Sequence, residues 1–79
     1  MTTIDEPIQV AMLFRGEEIR PHAFLWNGHR YEVRHVTLVH KTHIGDVLQW
    51  HFTVQTIQGS TARLAFDTLS LGWQLEEME

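Results

Sequence analysis

Six histidines lie in the middle of the chain, and they are the side chains that most readily suggest chemistry. His40 and His43 have the spacing His-x-x-His, and His51 follows in the next apolar run. Imidazole nitrogens bind zinc and nickel ions, so His40, His43 and His51 form a hypothetical metal site. The alternative is that they are surface histidines, because His51 alternates with Trp50 and Phe52 and is predicted to point outward.

A second group of side chains that could bind a ligand is basic. Residues 19–66 carry a net charge of +3 with histidines neutral, whereas the rest of the chain carries −7. Small β-barrels bind nucleic-acid strands with faces of basic and aromatic side chains. The candidate nucleic-acid-binding residues are Arg20, Arg30, Arg34, Lys41 and Arg63. The total charge of −4 nevertheless disfavours strong non-specific binding to phosphates.

Nucleophiles and paired acids give little support for catalysis. The chain has no cysteine, and Ser60 and Ser70 fall in predicted turns without the Gly-x-Ser-x-Gly pattern of a nucleophile elbow. The acidic residues cluster towards the two ends of the chain and do not form the pattern of a catalytic carboxylate pair. We therefore expect a protein that is not an enzyme and that uses no cofactor.

The elements that must position these side chains are predicted to be β-strands. Five glycines punctuate the chain, with short apolar runs between most of them, and no segment has a sustained helical period with caps. The strands are predicted in the runs 8–14, 19–26, 29–39, 47–57, 62–66 and 73–75. This pattern predicts an all-β fold, a small antiparallel barrel of five to six strands or a compact sandwich, built from meandering hairpins.

The length and the termini predict a single domain over residues 1–79. We expect order from about residue 7 to residue 76, followed by a short frayed acidic tail. No apolar stretch approaches the roughly 20 residues that span a bilayer. The N-terminus lacks a basic region followed by an apolar run. These features predict a cytoplasmic protein without a membrane partner.

The dipeptide Asn27-Gly28 is the strongest local signal in the chain. A type I′ turn needs positive φ at both central residues, and Asn-Gly adopts that conformation at little cost. A two-residue turn sets the register of the hairpin around it. The predicted pairs are Trp26–His29, Phe24–Tyr31 and His22–Val33 on one face, and Leu25–Arg30, Ala23–Glu32 and Pro21–Arg34 on the other. The bulky apolar side chains sort onto the first face, in agreement with the turn.

The apolar phase changes after this hairpin, since Tyr31 and Val33 are odd-numbered whereas Val36 and Leu38 are even-numbered. A β-bulge near Arg34-His35 would return all four to one inward face. Four apolar residues remain out of phase with their neighbours, namely Leu13, Leu25, Val39 and Ile57. Exposed together they would form an apolar patch for a partner or for self-association. The alternative is a second packing layer.

A resemblance to a known family is carried by aromatic residues and turn glycines. The residues are Phe24-x-Trp26-x-Gly28-x-x-Tyr31-x-Val33, then Trp50, Gly59, Leu64-x-Phe66-Asp67 and Trp73-x-Leu75. They resemble a family of small uncharacterised bacterial domains, a domain-of-unknown-function family, over roughly residues 19–77. Members are sometimes found beside or within genes for Y-family translesion polymerases, which implies an association with DNA repair. The family implies no catalytic residues.

These observations favour a non-catalytic protein-interaction or adaptor module, whose partner is another protein or a second copy of the chain. The first alternative is a weak nucleic-acid-binding barrel associated with DNA repair. The second alternative is a histidine metal-binding protein. The three hypotheses depend on different side chains, so the placement of those side chains in the fold discriminates between them.

Overall fold

The computed structural model describes residues 2–79, which form six antiparallel strands. The strands are β1 (Thr2–Arg15), β2 (Glu18–Trp26), β3 (His29–Ile44), β4 (Val47–Thr56), β5 (Thr61–Asp67) and β6 (Trp73–Met78). Each strand pairs with the next, and β1 also pairs with β6, so the sheet closes into a barrel. The predicted all-β antiparallel barrel is confirmed, in its six-stranded closed form. Residues 2–79 include no helix with the length and apolar character needed to cross a membrane.

The core lies inside the barrel and is built from alternate residues of the later strands. Side chains alternate across a strand, so β4 turns Phe52 and Val54 inward while β5 turns Leu64 and Phe66 inward. These four side chains and Leu75 of β6 are almost completely buried. The regular apolar alternation of β4 and β5 therefore supplies the packed half of the barrel.

The predicted hairpin between β2 and β3 forms around Asn27 and Gly28, whose φ angles of 52° and 74° suit a type I′ turn. Four of the predicted pairs are confirmed, namely Trp26–His29, Leu25–Arg30, Phe24–Tyr31 and Ala23–Glu32. The rings of Phe24 and Tyr31 stack with centroids 5.1 Å apart. The turn therefore sets the register for these residues, as expected.

The two outermost predicted pairs of this hairpin, His22–Val33 and Pro21–Arg34, are wrong, because the β2–β3 ladder stops after Ala23. The reason lies on the other side of β2, where its pairing with β1 shifts register and leaves His22 as an extra residue. Such a bulge bends a strand and increases its twist. Beyond this bulge the first residues of β2 are no longer paired with β3.

β3 itself carries two register shifts against β4. The first lies between Val33 and His35 and confirms the predicted bulge. The second lies between Val36 and Leu38 and was not predicted. Each shift reverses which alternate residues face the interior, so the rest of β3 follows a different phase from the one expected.

The second shift changes the orientation of the residues that follow it. Val39 pairs with Phe52 and Lys41 pairs with Trp50, so Val39 and Lys41 share the inner side of the sheet with these aromatic rings. Leu38 moves to the outer side and is 53% exposed. The expectation that Leu38 faces inward and Val39 faces outward is therefore wrong.

The strands reach further towards both ends than expected. β1 begins at Thr2 rather than near residue 7, and β6 continues to Met78, which is buried. The backbone N–H of Glu79 donates to the carbonyl oxygen of Thr61 at 2.8 Å. The prediction of a frayed acidic tail is wrong, because β1 and β5 flank β6 and supply its backbone hydrogen bonds.

Asp67 organises the turn between β5 and β6. Its Oδ1 accepts hydrogen bonds from the backbone N–H groups of Ser70 at 3.0 Å and Leu69 at 2.8 Å. The amide of Gln49 donates to Oδ2 at 3.2 Å. These donors, the backbone of Ser70 first, favour the ionised carboxylate and lower the pKa of Asp67 below its ordinary 3.8.

We expect this carboxylate to contribute to the loss of stability in acid. Folding lowers the pKa of Asp67, so its contribution is complete above the unfolded value and is lost as the pH falls through the folded value. The variant Asp67→Asn should be less stable than the parent at pH 7, and this difference should shrink towards pH 2. Urea unfolding of both proteins across this range measures it, and a difference that does not change with pH would contradict the prediction.

Candidate functional site

The barrel wall is incomplete between β2 and β3. β2 pairs with β3 only from Ala23 to Trp26, while β3 continues to Ile44 with β4 alone beside it. Residues 18–22 and residues 33–44 therefore face each other without forming a ladder. We call these two segments the seam. Each leaves one side of its backbone without a strand partner among the residues that the structure describes.

A groove of about 380 Å³ lies in the seam. Ile19 forms one wall, Val36 and Val39 form the other, and the rings of Trp50 and Phe52 also line it. Ile19, Val36, Val39 and Trp50 are partly exposed because the two hairpin arms diverge, whereas Phe52 is buried. An apolar groove beside an unpaired strand is the kind of site that takes an extended peptide.

Three of the five predicted basic residues gather at this groove. Arg20 and Lys41 line it from opposite strands, and Arg20 and Arg34 together line an adjoining depression of about 330 Å³. The ammonium nitrogen of Lys41 lies 4.3 Å from the centre of the Trp50 ring, a distance at which cation–π attraction operates. All three basic side chains remain exposed.

The other two predicted basic residues lie elsewhere and have acidic partners. Arg30 follows the β2–β3 turn, and its Nε lies 3.8 Å from Oε1 of Glu32. Arg63 of β5 has Nη1 3.4 Å from Oε1 of Glu77. The structure therefore divides the predicted nucleic-acid-binding set into three residues at the seam and two carboxylate-paired residues away from it.

The three histidines of the hypothetical metal site are not brought together. His40 pairs with His51, and their rings stack with centroids 4.7 Å apart. His43 pairs with Leu48, and by the alternation of the strand it faces the opposite side of the sheet from His40. Residues 2–79 contain no cluster of three histidine, cysteine or carboxylate side chains with the geometry to hold a metal ion.

The sequence comparison matches residues 1–77 to a family described as Domain of unknown function (DUF6504). The chain belongs to the DUF6504 family. The expected membership of a domain-of-unknown-function family is thereby confirmed. No curated protein and no solved structure matches the chain.

In this DUF6504 domain, the four out-of-phase apolar residues are all substantially exposed and do not form a second packing layer. They are Leu13 at 55%, Leu25 at 43%, Val39 at 45% and Ile57 at 56% exposure. They also do not form a single patch. Val39 lines the groove and Leu13 lines the adjoining depression, whereas Leu25 borders separate depressions near the β2–β3 turn.

His51 of the DUF6504 domain is on the outer side of the sheet, as predicted, but it is buried there. Its Nδ1 lies 2.8 Å from Oε1 of Glu76, and its Nε2 lies 2.8 Å from Oγ1 of Thr42. Both ring nitrogens are therefore engaged within the protein, so the ring is held by hydrogen bonds rather than presented to a ligand.

Sequence reasoning named Lys41 among the basic candidates but missed Trp50 as a groove residue of the DUF6504 domain. The predicted third strand ends at residue 39, before Lys41, whereas β3 extends past Lys41 to Ile44. The second register shift of β3 turns Lys41 onto the Trp50 ring. The adjacent apolar pair Leu38-Val39 fits either phase, so it carries no signal of that shift.

Proposed function

We propose that this domain is a non-catalytic protein-interaction module that binds an extended segment of another protein along the free edge of β3. One observation carries the proposal: within residues 2–79, the stretch of β3 from Val33 to Ile44 pairs with β4 on one side and with no strand on the other. An unpaired edge presents a row of backbone N–H and C=O groups that another strand can pair with. The domain would then act by adding a strand to its sheet.

The edge is long and regular enough for this mode of binding. From Leu38 to Ile44, β3 pairs with β4 without a register shift. These seven residues span about 23 Å at about 3.3 Å per residue, which is the length of an ordinary strand. A peptide of five to seven residues would match this part of the edge.

Apolar side chains along the same edge support the proposal. Leu38, Val39 and Ile44 are each between 45% and 64% exposed. The side chains of a docked strand would alternate between the two faces of the sheet. They would therefore cover part of the apolar surface of these residues on each face. Burial of apolar surface contributes about 25 cal/mol per Å², so these residues would add affinity to the backbone hydrogen bonds.

The test is selection of extended seven-residue peptides displayed on phage, followed by hydrogen exchange on the complex. We expect selected peptides to slow amide exchange over residues 38–44 of β3. Exchange over residues 61–67 of β5 should not change, because β5 already pairs on both sides. Failure to select any peptide, or protection confined to another surface, would overturn the proposal.

Two matched variants locate the binding surface. Val39→Asp places a charge in the groove and should abolish binding of the selected peptides. Leu69→Asp makes the same change in the β5–β6 turn, where Leu69 is 77% exposed, and should leave binding unchanged. Circular dichroism and thermal unfolding of both variants check that the barrel is intact. Equal loss of binding in the two variants would contradict the assignment to the groove.

A weak nucleic-acid-binding role is the second candidate, and the observation that favours it is the grouping of Arg20, Arg34 and Lys41 at the seam. Labelled single- and double-stranded oligonucleotides should then bind with a steep salt dependence. Arg34→Glu should abolish that binding, whereas Arg30→Glu should not. Absence of any shift at low salt would exclude this candidate.

A further inference from the structure

We infer that the segment bound at the seam is acidic: an extended strand of apolar residues and carboxylates, whose carboxylates pair with the basic side chains Arg20 and Lys41. The inference rests on the proposed function and adds the chemistry of the partner. It follows from the distribution of charge along the seam, the pairing of each basic side chain, and the shape of the groove.

The seam differs in charge from the rest of the molecule. Residues 18–22 and 33–44 carry a net charge of +2 with histidines neutral, whereas the remainder of the chain carries −6. Residues 33–44 contain no acidic side chain. An acidic segment would be attracted to the seam and repelled by the other surfaces, which favours one docking site and one orientation.

The basic side chains in the groove lack acidic partners within the domain. Among residues 2–79, neither Arg20 nor Lys41 has a carboxylate within 4.0 Å, although Glu18 lines the same groove. Arg30 and Arg63, by contrast, each have one. The groove therefore holds cations that remain free to pair with carboxylates of a ligand.

The groove also positions one of these cations, Lys41. Lys41 lies over the Trp50 ring, which restricts its side chain in the free domain. Ligand binding therefore loses less side-chain entropy at Lys41. Arg20 stands on the facing strand, next to Ile19, with Val36 and Val39 on the other wall. Apolar side chains of a ligand strand would contact the apolar walls, while its carboxylates would pair with Lys41 and Arg20.

A second copy of the chain fits the seam less well than an acidic strand. Pairing of two β3 edges would bring two segments of net charge +2 together, and like charges across an interface disfavour association. An acidic partner removes this repulsion. Self-association is therefore an outcome of the test that would count against the inference.

The test compares three seven-residue peptides that alternate valine with glutamate, threonine or lysine, by fluorescence anisotropy at low and moderate salt. We expect the glutamate peptide to bind at least tenfold more tightly than the threonine peptide, with the difference shrinking at higher salt. The lysine peptide should bind most weakly. The double variant Arg20→Glu/Lys41→Glu should reverse this order, so that the lysine peptide binds best.

Arg30→Glu is the control, because it reverses a charge outside the seam and should preserve the order of the three peptides. Equal affinity for the glutamate and threonine peptides would overturn the acidic specificity and leave edge binding intact. If none of the three binds and peptide selection also fails, the proposed function falls with it. Concentration-dependent dimerisation in place of peptide binding, seen by light scattering, would overturn the inference as well.

Discussion

Replacing Phe52 with alanine is expected to lower the free energy of unfolding by about 3–5 kcal/mol. The Phe52 side chain is 1% exposed, and its ring lies 6.0 Å from that of Trp50 and 5.5 Å from that of Trp73. Its removal leaves a cavity that the closed barrel can only partly collapse to fill. A domain of this size has a total stability of about 4–12 kcal/mol at typical per-residue values, so the loss is a large fraction of it.

Urea unfolding monitored by tryptophan fluorescence measures this loss. Leu69→Ala is the control, since Leu69 is 77% exposed and its truncation should change stability by less than about 0.5 kcal/mol. If Phe52→Ala does not fold, Phe52→Leu should still fold with a smaller loss, because leucine leaves a smaller cavity. A Phe52→Ala protein as stable as the parent would show that the barrel interior is not packed around this ring.

Replacing Glu76 with alanine is expected to cost about 1.5–3 kcal/mol, the range for hydrogen bonds that involve a charged group. The change removes the partner of His51 Nδ1 at 2.8 Å, while the His51 side chain is only 11% exposed. Water cannot readily replace the carboxylate at so buried a position. The ring would then keep its hydrogen bond to Thr42 alone.

Glu77→Ala is the matched control, because Glu77 is the next residue of β6 and also pairs with a basic side chain. Its partner Arg63 is 39% exposed and lies 3.4 Å away, so the pair should contribute no more than about 1 kcal/mol. Chemical denaturation of the two variants gives both values. Equal losses would contradict the distinction between the pair at buried His51 and the pair at the more exposed Arg63.

Much of the fold could be predicted because it depends on interactions between residues close in the sequence. Asn27 and Gly28 adopt positive φ angles, and the turn they form sets the β2–β3 register over four pairs. This effect does not depend on the position of the hairpin in the barrel. The apolar alternation of β4 likewise determines its buried face. The change of phase after Val33 predicted the first bulge of β3, because only an extra residue can return both apolar sets to one side.

The candidate site could be predicted only in part, because its geometry depends on strands that are distant in the sequence. The basic residues were found from their charge, but it is the shifted pairing of β2 with β1 at His22 that ends the β2–β3 ladder and opens the seam. The second shift of β3 turns Lys41 onto Trp50, and the buried His51 is hydrogen-bonded to Glu76, 25 residues further along. Local propensity and the alternation of apolar residues determined which segments form strands. The Asn27-Gly28 turn determined how β2 pairs with β3. Long-range pairing between strands decided where the sheet stays open and which polar side chains are buried. The sequence does not reveal this pairing, because a bulge among residues that suit either face changes no recognisable pattern.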